Sequence, residues 1–433
     1  PMVVSRTPPD PTRTAADAGR PATFLNTETH WWDGSQVYGS SAARQALLRR
    51  HPKTGRLMPH GTLHLDQGGH LPLDADGIEL AGVNDNWWLG LSAMHTLFAR
   101  EHNAICARLR IEHPLADGEW LFQKARLINA ALMAKIHTVE WTPALLDTPE
   151  MRFGMRGNWW GALGEEFYLA NGRVSGSEVI GGIPGSPAEH HGTAYAMTEE
   201  FVAVYRMHPL LPDDFSFRTL ESDRPLKQCG LAEIVGRKVP ALYDEVPLVD
   251  ALYSLGTSHP GALTLHNYPR ALQRHECQGS GQLVDVGAID ILRDRERGVP
   301  RYCRFRRLLD MKAPRSFEEL TDNPMWVREL RAVYGDIEKV DLLVGMLAET
   351  PPPGFAFSDT AFRIFILMAS RRLKSDRFYT TDYTPEVYTA TGMDWIDNNG
   401  MKSVLLRHLP QLGSRLDRVK NAFQPWPGVN DKA

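Results

Sequence analysis

The chain has 433 residues, a formal net charge of −4, and a composition that is 42% hydrophobic and 9% aromatic. That length and apolar content bury a large core and exceed one usual domain length. The slightly acidic balance excludes a nucleic-acid partner, because neutralising phosphates takes a basic surface, and the short basic runs at Arg304–Arg307 and Arg371–Arg372 read as solvated helix faces.

Residues 1–22, rich in Pro, Thr and Asp, are expected to be extended loop ahead of one large domain over 23–433. The opening PMVVSRTPPDPTRT has no apolar core of the kind that marks a signal peptide and no initiator Met, so it reads like the middle of a longer protein. A helix follows Gly39, capped by Ser40 or Ser41 and running through AARQALLRR. Residues 53–83 predict hairpins and loops, with Leu63 and Leu65 alternating. Trp87–Ile111 places Leu91, Met94, Leu97, Phe98, Ile105 and Leu109 close to helical spacing. Glu119–Leu146 repeats the pattern with Leu121, Ala125, Leu127, Ile128, Leu132 and Ile136. Both stretches are too apolar to lie on a surface.

Residues 171–197 are Gly- and Ser-rich and are expected to be irregular. Glu199–His208 reads as a helix that stops where Pro209 and Pro212 withhold backbone donors. Further helices are expected near 230–236, 286–297, 316–321, 325–334, 338–347, 358–373 and 400–407. The fold class is mainly α with few short strands, without internal repeats. No segment has the unbroken apolar length of a membrane span; the most apolar helix candidate, Ala361–Ser370, is short and contains Arg363. Cys106, Cys229, Cys277 and Cys303 form no CxxC pair and read as buried or free thiols in a reducing compartment. The expected location is cytoplasmic or peripheral to a membrane.

The run EEFVAVYRMHPLLPDDF, residues 199–215, carries the most chemistry. Three apart on a helix, Tyr205 and His208 share a face. A neutral imidazole is a common axial ligand for haem iron, although a packed aromatic beside a satisfied histidine has the same spacing. The longer string YRMHPLLPD resembles the corresponding segment of cyclooxygenases and plant-type fatty-acid α-dioxygenases, in the peroxidase–cyclooxygenase superfamily. The resemblance implies haem b with His208 as its proximal ligand, and Tyr205 as the radical residue that takes hydrogen from a fatty acid. Haem peroxidases of that superfamily usually have another residue there, so Tyr205 points to the oxygenase branch.

The resemblance extends over most of the chain. THWWDGSQVYGS, residues 29–40, is similar to the superfamily's calcium loop, which implies ligands at Thr29, the Trp31 carbonyl, Asp33 and Ser35. A hard cation takes several oxygens, and alternating loop positions supply them from one side; an Asp-Gly turn capped by Ser is the plainer account. LSAMHTLFAREHNAICARL, residues 91–109, resembles the HTLxxREHN helix, and His95, Arg100, Glu101, His102 and Asn103 are expected to tie helices together. The distal arginine of the peroxidases falls at Asn84, which weakens a peroxide-consuming reading.

KARLINAALMAKIHTVEWTPALL, residues 124–146, resembles the α-dioxygenases specifically. It implies that His137 and Thr142 bind the fatty-acid carboxylate, with Arg372 of MASRRLKSDRFYT completing the clamp. A buried histidine and an Arg372–Asp376 ion pair are the plainer accounts, and helix phase leaves Arg371 as the alternative. LHNYPRAL places Asn267 as the amide partner of the proximal histidine. In VDVGAIDILRDRERGVPRYCRFRR, residues 284–307, Arg293–Arg297 read as structural or near a haem propionate. The family's distal histidine, in an HDW-like string, is not found in this chain: His30 is inside the loop motif, and His51, His60, His64 and His70 come too late. An N-terminal fragment of the same protein is the expected partner that carries it.

The expected function is a haem-dependent fatty-acid dioxygenase. It takes a hydrogen from the carbon next to the carboxylate of a long-chain fatty acid, and O2 adds to give a 2-hydroperoxy product. The alternatives are a haem peroxidase acting with hydrogen peroxide on small reductants, and a non-catalytic haem- or lipid-binding relic. Peripheral membrane contact fits the substrate; no transmembrane segment is expected.

Overall fold

In the computed structural model, which describes residues 2–190, 192–277 and 281–428, the protein is mainly helical, as its patterning predicts. The described strands form two antiparallel pairs, Asp214–Arg218 with Pro225–Gly230 and His275–Glu276 with Leu283–Val284. The chain divides into two compact units. One comprises Trp31–Ala194, Asp214–His259 and Arg372–Ala433; the other comprises Pro1–His30, Tyr195–Asp213 and Pro260–Arg371. No described helix is long and apolar enough to cross a membrane.

The first unit is built on two helices, Leu89–Glu112 and Gly118–Ile136. Asp117 caps the second, its carboxylate accepting from Trp120 N at 2.7 Å. Ile105, Leu109, Leu121, Ala125 and Ile128 recur at helical spacing and pack in one cluster with Trp159, Trp160, Tyr383 and Ile396. Each such fully buried large side chain contributes about 1.5–3 kcal/mol.

The helix expected over Glu119–Leu146 is not uniform. It widens into a π-turn at His137–Trp141 before resuming at Thr142–Leu145. Pro143 has no N–H to offer the carbonyl four residues back, and the Thr142 hydroxyl instead donates to the His137 carbonyl at 2.8 Å. The distortion falls on the residues singled out as a carboxylate site.

The HTLxxREHN residues do tie elements together. The fully buried Glu101 carboxylate receives Trp395 Nε1 at 2.9 Å, Arg407 Nη1 at 2.6 and 2.8 Å, and sits 2.7 Å from His408 Nε2. His102 lies between the Tyr38 hydroxyl (2.9 Å) and the Gly61 carbonyl (3.0 Å). Asn103 holds both backbone groups of Leu63, and Arg100 holds the Gly69 carbonyl.

Burial pushes the His102 imidazole down to about 4, an effect the Gly61 carbonyl only partly offsets. The unfolded ring takes a proton below about pH 6.5, so the folded state loses stability as pH falls from there towards 4. His102→Gln removes that penalty. It is expected to cost about 2 kcal/mol less at pH 5 than at pH 7. Urea unfolding at the two pH values measures this, and an equal cost at both would contradict a neutral buried ring.

In the second unit, the described residues 2–22 contain a 3-10 turn at Ala15–Asp17, and Thr7 grips the Glu296 carboxylate through its N–H (2.9 Å) and hydroxyl (2.7 Å). The helix expected over Glu199–His208 is shorter than predicted. It runs only over Glu199–Val204, and a 3-10 turn at His208–Leu210 follows. Pro209 and Pro212 cannot donate to the carbonyls of Tyr205 and His208, so two of the bonds that would continue the helix are missing. Tyr205 and His208 are therefore not neighbours on one continuous helical face. The helix Asp359–Ser375 contains the boundary between the units, at Arg371 and Arg372.

Candidate functional site

Tyr205 ends its helix with φ −85° and ψ 8°. Its ring packs against Phe201 at 4.5 Å between centroids and stacks on Phe365 at 5.4 Å with 22° between planes. Both contacts fix the phenol through its carbon face.

His208 is held by a polar cluster. Its Nδ1 is 2.9 Å from Asp290 Oδ2 and 3.1 Å from the Tyr268 hydroxyl. Tyr268 donates to the same Asp290 oxygen at 3.1 Å, and Arg206 Nη1 lies 3.0 Å from the other. The Asp290 side chain is 2% exposed and that of His208 is 32% exposed. A buried carboxylate at Nδ1 sets the tautomer and leaves Nε2, across the ring, as the nitrogen offered to a ligand. That arrangement is what an axial imidazole requires.

Asn267 does not fill the role expected of it. Its amide donates to the Ala262 carbonyl at 2.7 Å, closing a local turn in which His266 takes a left-handed φ of 64°. Gly261 brings this turn onto the His208 segment: its N–H meets the Leu210 carbonyl at 2.9 Å, and a Cβ there would stand 2.0 Å from the Pro209 carbonyl. The turn thereby presents Tyr268, one residue on, to His208. Asp290 and Tyr268 were not singled out from sequence; the available signal was a lone acid inside the apolar stretch VGAIDIL.

The arginines of the following stretch are paired within the protein. Arg293 meets Glu296 at 2.7 Å, Arg295 meets Asp341 at 2.6 Å, and Arg297 meets Glu199 at 3.1 Å. These contacts support the structural reading of Arg293–Arg297.

In the other unit, His137 stacks on Trp141 (4.7 Å, 27°) and meets Trp32 edge-on (4.9 Å). Burial pushes its imidazole down to about 3, and the neighbouring Arg372 charge adds to the effect. His137 is thus neutral at ordinary pH. The Arg372 guanidinium lies 5.4 Å from the centre of the Trp32 ring, whereas Arg371 lies over Tyr195 at 5.8 Å. Helix phase therefore selects Arg372 as the neighbour of His137. Thr142 is buried and its hydroxyl hydrogen is committed to the His137 carbonyl.

In the loop that resembles a calcium site, the Asp33 carboxylate is engaged within the protein. Asp33 Oδ1 accepts from Ser35 N at 3.0 Å, and Oδ2 is 3.4 Å from Arg126 Nη2. Among the described residues no group of three or more His, Cys, Asp or Glu is placed to hold a metal ion. One carboxylate already paired with a guanidinium is a poor match for a hard divalent cation. A cavity of about 810 Å³ adjoins this loop, lined by Trp31, Trp32, Asp33, Arg126, Leu127 and Phe378 among others. Asn84 closes its own loop, accepting from Arg44 and donating to Asp74 and the Glu79 carbonyl.

The chain matches the family model of the animal haem peroxidases over residues 1–423. It is 40% identical over 417 residues to Alpha-dioxygenase 1 of Capsicum annuum and to Alpha-dioxygenase PIOX of Nicotiana tabacum. Each match covers 93% of this chain, and the chain spans 64% of the length of each curated relative. A crystal structure of Oryza sativa fatty acid alpha-dioxygenase with palmitic acid is similar at a TM-score of 0.92 and 37% identity, covering 98% of this chain and 70% of that one.

Proposed function

This chain belongs to the animal haem peroxidase family, and from that premise we propose that it carries the chemistry of a haem-dependent fatty-acid dioxygenase. The observation that carries the reading is the His208 cluster: an imidazole tied through Nδ1 to a buried carboxylate, three residues after a packed phenol. The 40% identity to plant alpha-dioxygenases adds to it.

In this reading His208 Nε2 holds the iron and Asp290 orients the ring. Bound haem supplies the one-electron oxidation that turns a phenol into a hydrogen-atom acceptor. Tyr205 Oη, having lost its hydrogen, takes one from the carbon next to the substrate carboxylate and becomes a phenol again. The carbon radical adds O2, and the resulting peroxyl group takes a hydrogen atom back from the Tyr205 phenol, which gives the 2-hydroperoxy acid and restores Tyr205 to the hydrogen-accepting form. Arg372 supplies the positive charge for the carboxylate, while His137 and Thr142 supply neutral polar contacts. Fixing the acid at its carboxylate makes the adjacent carbon the one of defined position, which is catalysis by positioning.

Because His137 stays neutral down to about pH 3, its titration plays no part in substrate binding near neutrality. Calcium is not needed in this scheme. An ion at Thr29, Trp31, Asp33 and Ser35 would require Asp33 to release Arg126 and a further carboxylate to join.

An oxygen electrode tests the proposal. Haem-loaded protein is expected to consume O2 on addition of palmitate with no added reductant, and the product is a 2-hydroperoxy acid. Oxidation of small phenols by hydrogen peroxide without O2 uptake would assign the chain to the peroxidases instead. Bound haem with neither activity would make it a binding protein.

A further inference from the structure

We infer that Trp32 is a positioning residue for the carboxylate clamp, and that it makes the 31–35 loop part of the substrate site. The inference rests on the assignment of Arg372 and His137 to the substrate carboxylate.

One indole touches both members of the clamp. The His137 ring meets it at 4.9 Å with 64° between planes, and the Arg372 guanidinium lies 5.4 Å from its centre. At that distance the ring quadrupole attracts the cation. An arginine side chain has several rotatable bonds, and an aromatic face that stabilises one of its positions lowers the cost of ordering it when an anion arrives. The edge contact likewise limits His137, whose other face is covered by Trp141.

Trp32 is itself well anchored. The Tyr379 hydroxyl donates to the Trp32 carbonyl at 2.5 Å, and Tyr379 is 2% exposed within the main apolar cluster. Trp32 packs against that same cluster. The next residue is fixed too: the Asp33 carbonyl accepts from Arg126 Nε at 3.3 Å, and its carboxylate accepts from Ser35 N. A loop tied at consecutive residues holds its indole at one height, and that height sets where Arg372 and His137 stand. The same ring lines the cavity beside the loop, so its position also fixes one wall of that space.

The experiment is calorimetric titration of the haem-loaded protein with palmitate and with hexadecanol, which has a similar chain and no charge. Trp32→Leu is expected to weaken palmitate about tenfold while leaving hexadecanol within about twofold. Arg372→Gln weakens palmitate in the same selective way. In the Arg372→Gln background Trp32→Leu is expected to cost clearly less than it does alone, because the part of its role exerted through the Arg372 guanidinium is already gone and only the His137 contact remains. Equal losses for both ligands, or additive losses in the double variant, would overturn the role of Trp32 and leave the clamp standing. An Arg372→Gln protein that binds palmitate as tightly as the wild type refutes the clamp and the Trp32 role with it. Should Trp32→Leu fail to fold, Trp32→Phe decides the matter. It keeps a ring with a weaker quadrupole, and a palmitate-selective loss of a few-fold is expected; no selective loss overturns the inference.

Discussion

Tyr205→Phe is expected to abolish palmitate-dependent oxygen uptake, by on the order of a thousandfold or more, and to leave the haem Soret band and thermal midpoint unchanged. The substitution removes one oxygen atom. The ring contacts to Phe201 and Phe365 are ones that phenylalanine reproduces. What disappears is the only atom on the ring able to accept a hydrogen atom and return it. A loss that large corresponds to about 4 kcal/mol of barrier, more than repositioning of a well-packed ring accounts for. Oxygen-electrode traces beside absorption spectra separate the two quantities. Full uptake in the variant would remove Tyr205 from the mechanism and leave the haem assignment untouched.

His208→Ala should cost the protein its haem, whereas Asp290→Asn should weaken the complex without abolishing it. The first change deletes the ligand nitrogen. The second keeps a side chain of the same shape against His208, Tyr268 and Arg206 but removes its charge, and an outer-shell change of this kind costs about 10- to 100-fold in affinity. Asparagine is the informative substitution, because it keeps the shape and an oxygen that still accepts from Arg206, whereas alanine removes that acceptor as well and leaves a void beside His208. Haem titration followed at the Soret band gives both numbers. Identical affinities for wild type and Asp290→Asn would mean that the 2.9 Å contact to His208 does not act on the iron site. A control at Asn267, whose amide serves the Ala262 carbonyl, is expected to change affinity little.

How much of this was legible in the sequence depends on the distance over which each feature is determined. The helices Leu89–Glu112 and Gly118–Ile136 were readable because their apolar spacing is local and long. The cap of Ala42–Leu48 at Ser41 was readable because the hydroxyl that closes it lies at the helix's own start. Pro149–Trp160 escaped, since Gly154 and Gly157 dilute its pattern, although Thr148 before Pro149 is a proper start signal. Within the candidate site, YRMHPLLPD pointed to Tyr205 and His208, but the helix assumed to align them ends at Val204. The partner of His208 was misassigned for a related reason. Asn267 and Tyr268 are consecutive, and only the left-handed turn at His266 and the close passage of Gly261 decide which faces the imidazole. Asp290 comes from a helix 82 positions away, a distance over which no pattern in a single sequence speaks. Which of Arg371 and Arg372 lies over Trp32 likewise depends on helix packing that the sequence does not show.

The Glu101 cluster has a consequence for how the chain is made. Its carboxylate is fully buried on the helix Leu89–Glu112, and its Arg407 partner lies 306 positions further on. At about 5–20 residues per second, a ribosome takes roughly 15–60 s to deliver that arginine after Glu101 emerges. Throughout that interval the helix Leu89–Glu112 cannot bury the carboxylate without stranding a charge, so it stays hydrated on that side. Packing of that face of the helix is thus deferred until Arg407 arrives.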